Sequence, residues 1–187
     1  MSYRLLLTTF AVSLGLLFVG CTDAPDTADD TAANGDGFKQ AESPDIDLPY
    51  AVTLFDSILI GGQPTQDHLR EAADQGYQTV VNLRPPGEFT DWDQEALVSE
   101  LGMKYENIPV AGEADITEEN ARQLADILDN DGNHPILIHC SSGNRVGALF
   151  AAQAHYLNEE DPDLALEQGR EAGLTALEEE LRERWMD

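Results

Sequence analysis

The sequence predicts a layered α/β domain, and three observations carry that prediction. Short segments rich in β-branched residues alternate with helix-period segments from residue 51 onward, the pattern of strands and helices stacked in layers. One segment, Pro135-Ile136-Leu137-Ile138-His139, is apolar almost without interruption, as a strand buried on both faces at the centre of a parallel sheet should be. Turn-forming residues fall between the segments, at Gly61-Gly62-Gln63-Pro64, Gly76, Arg84-Pro85-Pro86-Gly87, Gly102 and Pro109, where they punctuate elements without breaking them.

In chain order, residues 51–55 and 57–60 read as two short strands. Thr65 can cap a helix over about 66–75, with Leu69, Ala72 and Ala73 on its inner face and Gly76 ending it. Residues 78–83 form a strand, and residues 91–101 suit a helix through Trp92, Ala96, Leu97 and Leu101. Residues 104–108 are a further strand, ended by Pro109. Thr117 caps the next helix, with Glu118 and Glu119 near its positive end. Ala121, Leu124, Ala125 and Leu128 follow its i, i+3, i+4, i+7 spacing. After the 135–139 strand a helix opens over 146–152, and residues 162–187 read as two more, the last carrying Leu174, Leu177, Leu181 and Trp185. No internal repeat is visible.

The first 47 residues have a different character. Residues 5–20 are an apolar run behind Arg4, shorter than the roughly 20 residues a membrane span needs and the length of a secretory leader core. The run ends Val19-Gly20-Cys21, which resembles a bacterial lipoprotein signal. That resemblance implies removal of residues 1–20 and a lipid on Cys21. Phe18 stands where such signals usually carry Leu. Residues 21–47 are acids, small residues, Gly and Pro, with too little to bury to offset the entropy of ordering them. They read as a flexible tether, leaving residues 48–187 as one domain. The expected location is outside the cytoplasm, held at a membrane by the lipid; an uncleaved anchor would give the same placement.

The chain carries 36 acids against 10 Lys and Arg, a formal charge of −26. Nucleic acid is thereby excluded as a partner, because phosphate backbones need a basic face. A solvated acidic surface of this kind suits high salt, which screens its self-repulsion. Cys21 and Cys140 are the only cysteines, so with Cys21 lipidated no disulfide framework exists and Cys140 is a lone thiol. A monomer is expected, with no cofactor and no metal.

The chemistry concentrates at His139-Cys140-Ser141-Ser142-Gly143-Asn144-Arg145. Cys140 ends the central strand and precedes a helix, where ligand sites of open α/β sheets lie. Ser141, Ser142, Gly143 and Asn144 are small enough to turn backbone N–H groups inward, and those groups plus the helix N-terminus make an anion site. The same field favours the Cys140 thiolate, and Arg145 adds a full charge. Arg145 can hold two phosphate oxygens with its planar fork. His139 either positions the loop by hydrogen bonding or is a satisfied core histidine.

This loop resembles the signature of the dual-specificity and protein-tyrosine phosphatase superfamily. Gly61-Gly62-Gln63-Pro64-Thr65, Gly76-Tyr77-Gln78-Thr79-Val80-Val81-Asn82-Leu83-Arg84-Pro85 and Ile108-Pro109-Val110 are similar to its bacterial "beta-lactamase hydrolase-like" group. The resemblance implies a three-layer fold with a mainly parallel sheet of about four or five strands between helices. It further implies that Cys140 attacks a phosphomonoester, forming a cysteinyl phosphate that water hydrolyses. Asp115 is the implied candidate for general acid, on the loop of residues 110–116, with Glu113 behind it and Asp91 and Asp93 as outsiders. Arg84 is either a substrate contact or an ion-pair partner. Two departures stand out: the usual loop has five residues between Cys and Arg where this chain has four, and Val146 replaces the Ser or Thr that usually follows the Arg.

A rhodanese-type sulfurtransferase, working through a persulfide on Cys140, also uses a Cys-x-x-Gly-x-Arg loop. Rhodaneses usually add an Asp-Val-Arg segment and a Gly-His-Ile element, and this chain has Asn82-Leu83-Arg84-Pro85-Pro86-Gly87 and no Gly-His-Ile. A phosphate-binding module without catalysis is the third reading.

Overall fold

The computed structural model describes residues 46–55 and 57–186. The expected signal peptide, the lipidation site Cys21 and nearly all of the expected tether lie outside the described residues. Five strands form one sheet: β1 (Val52–Leu54), β2 (Ile58–Gly61), β3 (Thr79–Asn82), β4 (Lys104–Asn107) and β5 (Ile136–His139). Their spatial order is β1-β2-β5-β3-β4. Only the β1–β2 pair is antiparallel; β2–β5, β5–β3 and β3–β4 are parallel. The register aligns Gly61, His139, Asn82 and Asn107 across four strands, so their carboxyl ends form one level edge.

Alternation along the strands divides the core into two layers. Leu59, Val80 and Leu137 pack with Leu69 and Ala72 of α1 (Gln66–Asp74) and Val98 of α2 (Gln94–Glu100). Ile60, Val81 and Ile138 face the other way. They meet Leu124 of α3 (Glu118–Leu128), Leu149 of α4 (Asn144–Ala152), Leu166 of α5 (Pro162–Glu171) and Leu181 of α6 (Glu178–Met186). The result is the three-layer α/β architecture expected. Strand β5 is buried at every position, and each of its large apolar side chains contributes about 1.5–3 kcal/mol by burial. Edge strand β4 is mostly exposed Lys-Tyr-Glu-Asn, a charged margin that discourages further strand pairing. Among the described residues no helix is long and apolar enough to cross a membrane.

Some boundaries differ from the sequence reading, each for a local reason. Ile46, expected in the tether, is buried with Leu48 against the α1–α2 layer, so the packed chain begins before residue 48. Helix α4 starts at Asn144, two residues earlier than expected, because Gly143 adopts φ 85° and acts as its N-cap. This places Arg145 in the first helical turn. Leu174 and Leu177 precede α6 instead of belonging to it. Gly173 (φ 96°) closes α5, with Leu174 N–H bonded to Gly169 O at 2.8 Å, the Schellman arrangement in which Leu174 supplies the apolar contact. A π-helical turn, Gln153–Leu157, extends α4, a feature with no signature in hydrophobic spacing.

Candidate active site

Strand β5 delivers Cys140 to the carboxyl edge of the sheet, fully buried. The Gly143 N–H points back at Cys140 Sγ, 3.1 Å away, so the loop curls around the sulfur. Only four residues, 140–143, separate strand from helix, and the loop is pinned from outside by Gly61 and Gly62. The Cys140 N–H donates to Gly61 O at 3.4 Å, and the Gln63 N–H to Ser141 O at 3.4 Å. A Cβ at Gly62 would lie 2.9 Å from Ser141 O, which explains why glycine stands there.

Arg145 is buried to 8% exposure, and its guanidinium is nearly saturated. Nη1 and Nη2 clasp the two oxygens of Glu88 at 2.7 and 2.6 Å. Nη1 also donates to Val110 O at 2.7 Å, and Nη2 to Ser141 Oγ at 3.1 Å. A guanidinium has five N–H donors in a fixed plane. Among the described residues Nε meets no acceptor, so the edge that Glu88 does not take is the one formed by Nε and Nη2, where only the Ser141 hydroxyl occupies the Nη2 donor. Glu88 therefore fixes the plane of the fork while leaving that edge for an anion above Cys140. Glu88 is held ionised, its pKa lowered to about 2, chiefly by the Arg145 hydrogen bonds and then by Arg84. In return Glu88 raises the pKa of Arg145.

Arg84 completes a second layer. Its Nε donates to Glu88 Oε1 at 2.7 Å, Nη2 to Glu88 O at 2.9 Å and Nη1 to Gln63 Oε1 at 2.6 Å, and its charge sits over the Phe89 ring at 5.0 Å. From Gln63 a hydrogen-bonded chain runs inward. Gln63 Nε2 donates to Gln94 Oε1 at 3.4 Å, and Gln94 Nε2 lies 2.7 Å from His139 Nε2. His139 Nδ1 in turn lies 3.2 Å from Cys140 O. The donor directions agree in only one protonation state, a neutral imidazole with its proton on Nδ1. Burial favours that state and lowers the His139 pKa to about 4.

The loop after β4 meets the same cluster. Val110 O accepts from Arg145, and the Val110 N–H donates to Leu83 O at 2.9 Å. A single 3-10 turn, Glu113–Asp115, folds the loop back on itself. Asp115 Oδ2 accepts the Ala111 N–H at 2.8 Å, which holds its carboxylate against the residue that follows the Arg145 contact. Glu113 faces away, paired with Arg184 of α6 at 2.8 Å. Arg184 also donates to Glu113 O at 3.3 Å and Ile116 O at 2.9 Å, so α6 grips the 3-10 turn at both ends.

Residues 53–183 match the family described as DSP-PTPase phosphatase fused to NAD+ kinase. The chain belongs to this family. Its phosphatase domain is 35% identical over 106 residues to the beta-lactamase hydrolase-like protein of Xylella fastidiosa strain Temecula1, and 29% identical over 104 residues to that of Agrobacterium fabrum. Each match covers 54% of this chain and 24% of the relative, so the chain spans about a quarter of the length of those proteins. The fold resembles the core catalytic domain of the PP-IP phosphatase SIW14 from S. cerevisiae, with TM-score 0.55, 20% identity, and coverage of 74% and 86% of the two chains. Tk-PTP in its active form matches with TM-score 0.55 and 20% identity, over 73% of this chain and 96% of that one.

Of the residues singled out in sequence, the structure brings His139, Cys140, Ser141, Gly143, Arg145 and Arg84 into one network. Ser142 forms an isolated bridge with Gly62 at the outer side of the loop. The Asn144 side chain turns away. Its Oδ1 accepts the Thr175 N–H at 2.8 Å and the Leu177 N–H at 3.3 Å, so only its backbone is left to an anion. Arg84 pairs with Glu88 at 2.7 Å. Asp93 caps α2 by accepting the Ala96 N–H at 3.0 Å, and Asp91 is exposed. Glu88, Gln63 and Gln94 were not legible as site residues. The available signal was indirect: a buried guanidinium needs acceptors for its donors, and Glu88 follows the turn that Arg84 opens.

Proposed function

We propose that the protein hydrolyses phosphomonoesters through a cysteinyl-phosphate intermediate, and that it does so outside the cytoplasm, tethered to a membrane through Cys21. The observation that carries the reaction is the Nε–Nη2 edge of Arg145 beside Cys140, occupied only by the Ser141 hydroxyl, at a loop whose Gly143 N–H turns toward the sulfur. A phosphate on that edge places phosphorus in line with the thiolate. Sulfur attacks phosphorus as the bond to the ester oxygen breaks, and the leaving oxygen takes a proton from Asp115. Water then attacks the cysteinyl phosphate and gives its proton to the Asp115 carboxylate. The S–P bond breaks and the thiolate is restored. Arg145 and the loop N–H groups stabilise the charge on the equatorial oxygens at both stages. Residues 1–20 as leader and the stretch from Cys21 to just before the buried Ile46 as tether account for the location.

The purified protein, assayed on para-nitrophenyl phosphate and separately on thiosulfate with cyanide, should release phosphate and transfer no sulfur. Cys140→Ser should abolish the release. Sulfur transfer without phosphate release would overturn the reading in favour of the persulfide chemistry. For the location, Cys21→Ser should move the protein from the membrane to the soluble fraction, and an unchanged distribution would exclude lipid attachment there.

A further inference from the structure

Beside the catalytic loop, at the carboxyl ends of β3 and β4, lies a cleft of about 460 Å³ that the reaction does not use. Its walls include Phe89, Trp92, Tyr105, Asp93 and Glu95, with Arg84 and Gln94 on the side toward Cys140. Those two residues place it. Gln94 bonds to His139, and Arg84 shares Glu88 Oε1 with Arg145, at 2.7 and 2.6 Å. The cleft and the anion loop are thus one carboxylate apart.

The chemistry of its walls is one-sided. Arg84 is the only cation in the lining, and three of its five N–H donors are spent on Glu88 and Gln63. Asp93 and Glu95 remain, neither with an ion-pair partner among the described residues, and both are close enough to the Tyr105 phenol to help raise its pKa behind the larger effect of burial. Trp92 and Tyr105 are half-buried aromatic rings of the kind that attract a cation over the ring face. Taken as formal charges, Arg84, Arg145 and Glu88 sum to +1 around the anion loop before the Cys140 thiolate is counted, while Arg84, Asp93 and Glu95 sum to −1 in the cleft lining. One side of the edge suits a phosphate and the other suits a cation.

We propose that the cleft is a substrate subsite for a positively charged group, so that the preferred substrate is a phosphomonoester whose organic half carries an ammonium or guanidinium. The proposal rests on the phosphatase reading and names its substrate class. It also orders substrates against polyphosphates: a cluster of extra phosphates on the organic half would face Asp93 and Glu95, with Arg84, already paired to Glu88, as the one cation in the lining.

The test compares kcat/KM for phosphotyrosine hexapeptides that differ only in Arg or Glu flanking the phosphotyrosine, and for phosphoethanolamine against a neutral alkyl phosphate of similar size. Para-nitrophenyl phosphate serves as the reference for activity itself. A preference for the cationic member of a pair on the order of fivefold is expected, the yield of partly exposed charge pairs, shrinking as salt is raised. Preference in the peptide pair alone identifies a peptide as the source of the cation, and preference in the small-ester pair alone identifies a small amine. Glu95→Gln and Asp93→Asn (Asn retains the helix cap) should each lower the cationic-to-neutral ratio, and Glu95→Lys should invert it. Asp129→Asn removes the same charge just past the end of α3, ahead of the strand β5 that starts at Ile136, and should leave the ratio in place. Hydrolysis of the reference with no cationic preference overturns the subsite and spares the phosphatase. Equal loss of preference in Asp129→Asn and Glu95→Gln overturns it too, because the field of the whole acidic surface would then be responsible. No hydrolysis of any ester overturns the phosphatase reading and the subsite with it.

Discussion

Two loops leave the carboxyl edge of the sheet side by side and build their halves of the site by opposite means. The loop from β5 to α4 spends four residues and acts through its backbone: small side chains, a left-handed Gly143 and an N–H aimed at Cys140 Sγ. The loop from β3 to α2 spends eleven, residues 83–93, and acts through side chains. Arg84 and Glu88 close it on itself, and Glu88 then reaches across to Arg145. The first loop creates the place for an anion, whereas the second decides how the one mobile charge at that place is oriented. The short loop is held by its Gly143–Cys140 contact and by Gly61 and Gln63 alongside it. A long flexible cation such as Arg145 needs a partner from elsewhere in the chain.

The comparison breaks most visibly at Arg145, where the two loops meet. Arg145→Ala should lower kcat/KM on para-nitrophenyl phosphate by roughly a thousandfold, the scale of losing a preorganised charge at a transition state. Loss of less than tenfold would mean that the backbone of the β5–α4 loop suffices. Next comes Glu88→Gln, which leaves the guanidinium in place but loosens its plane. An expected loss of about thirtyfold follows from the sensitivity of positioned groups to small displacements. Because Glu88 acts through Arg145, the same substitution made in the Arg145→Ala background should cost little further activity. A full additional loss in that background would give Glu88 a role of its own.

These two expectations also explain what could be read in the sequence. Cys140, Gly143 and Arg145 were legible because their chemistry is local: strand, tight turn and helix start follow one another within a few residues. The buried run of β5 and the spacing of α1 and α3 were legible for the same reason. Glu88 was not, since it lies 57 residues from Arg145 in a chain with 36 acids, where no carboxylate stands out by type. Gln63 and Gln94 are neutral amides that gain meaning only from burial against His139. The placement of Leu174 and Leu177 failed differently: their helical spacing is real, but the Gly173 closure and the Asn144 side chain claim that segment as a connector.

The pH dependence of stability sharpens the contrast between the loops, because each has one shifted group, His139 at the end of β5 just before the first and Glu88 within the second. His139 titrates near 4 in the fold, below the ordinary 6.5 of an imidazole. Between those values the unfolded chain binds the proton and the folded chain does not. The stability that His139 contributes is therefore complete above pH 6.5 and is lost as pH falls to about 4. Glu88 titrates near 2 against an ordinary 4.5, so its contribution is complete above pH 4.5 and is lost as pH falls to about 2. Acidification also relieves the repulsion of a −26 chain, so the readout is a difference between proteins. Urea unfolding of wild type minus His139→Gln should slope between pH 6.5 and 4. Wild type minus Glu88→Gln should slope between 4.5 and 2. A His139 difference that is flat with pH would show that the Gln94–His139–Cys140 chain tolerates an imidazolium.

The smallest effect expected concerns the third loop, residues 110–116, which resembles neither of the others because α6 holds it from outside. Arg184 contributes one ion pair with Glu113 and two bonds to backbone carbonyls, at a site where both side chains are about one-third exposed. Its loss should cost stability under about 1 kcal/mol. The kinetic signature is more informative than the size. If the loop matters because it presents Asp115, Arg184→Ala should slow alkyl phosphates, whose leaving oxygen needs a proton, by a few-fold. Para-nitrophenyl phosphate releases para-nitrophenolate, a stable anion that needs no proton, and should be hydrolysed as before. Arg184→Lys keeps the charge and should recover part of the loss, since an ammonium can meet Glu113 but cannot reach both carbonyls with a planar fork. Equal slowing of both esters would place the effect of α6 on Arg145 through Val110 O, and would remove Asp115 from the proton transfer.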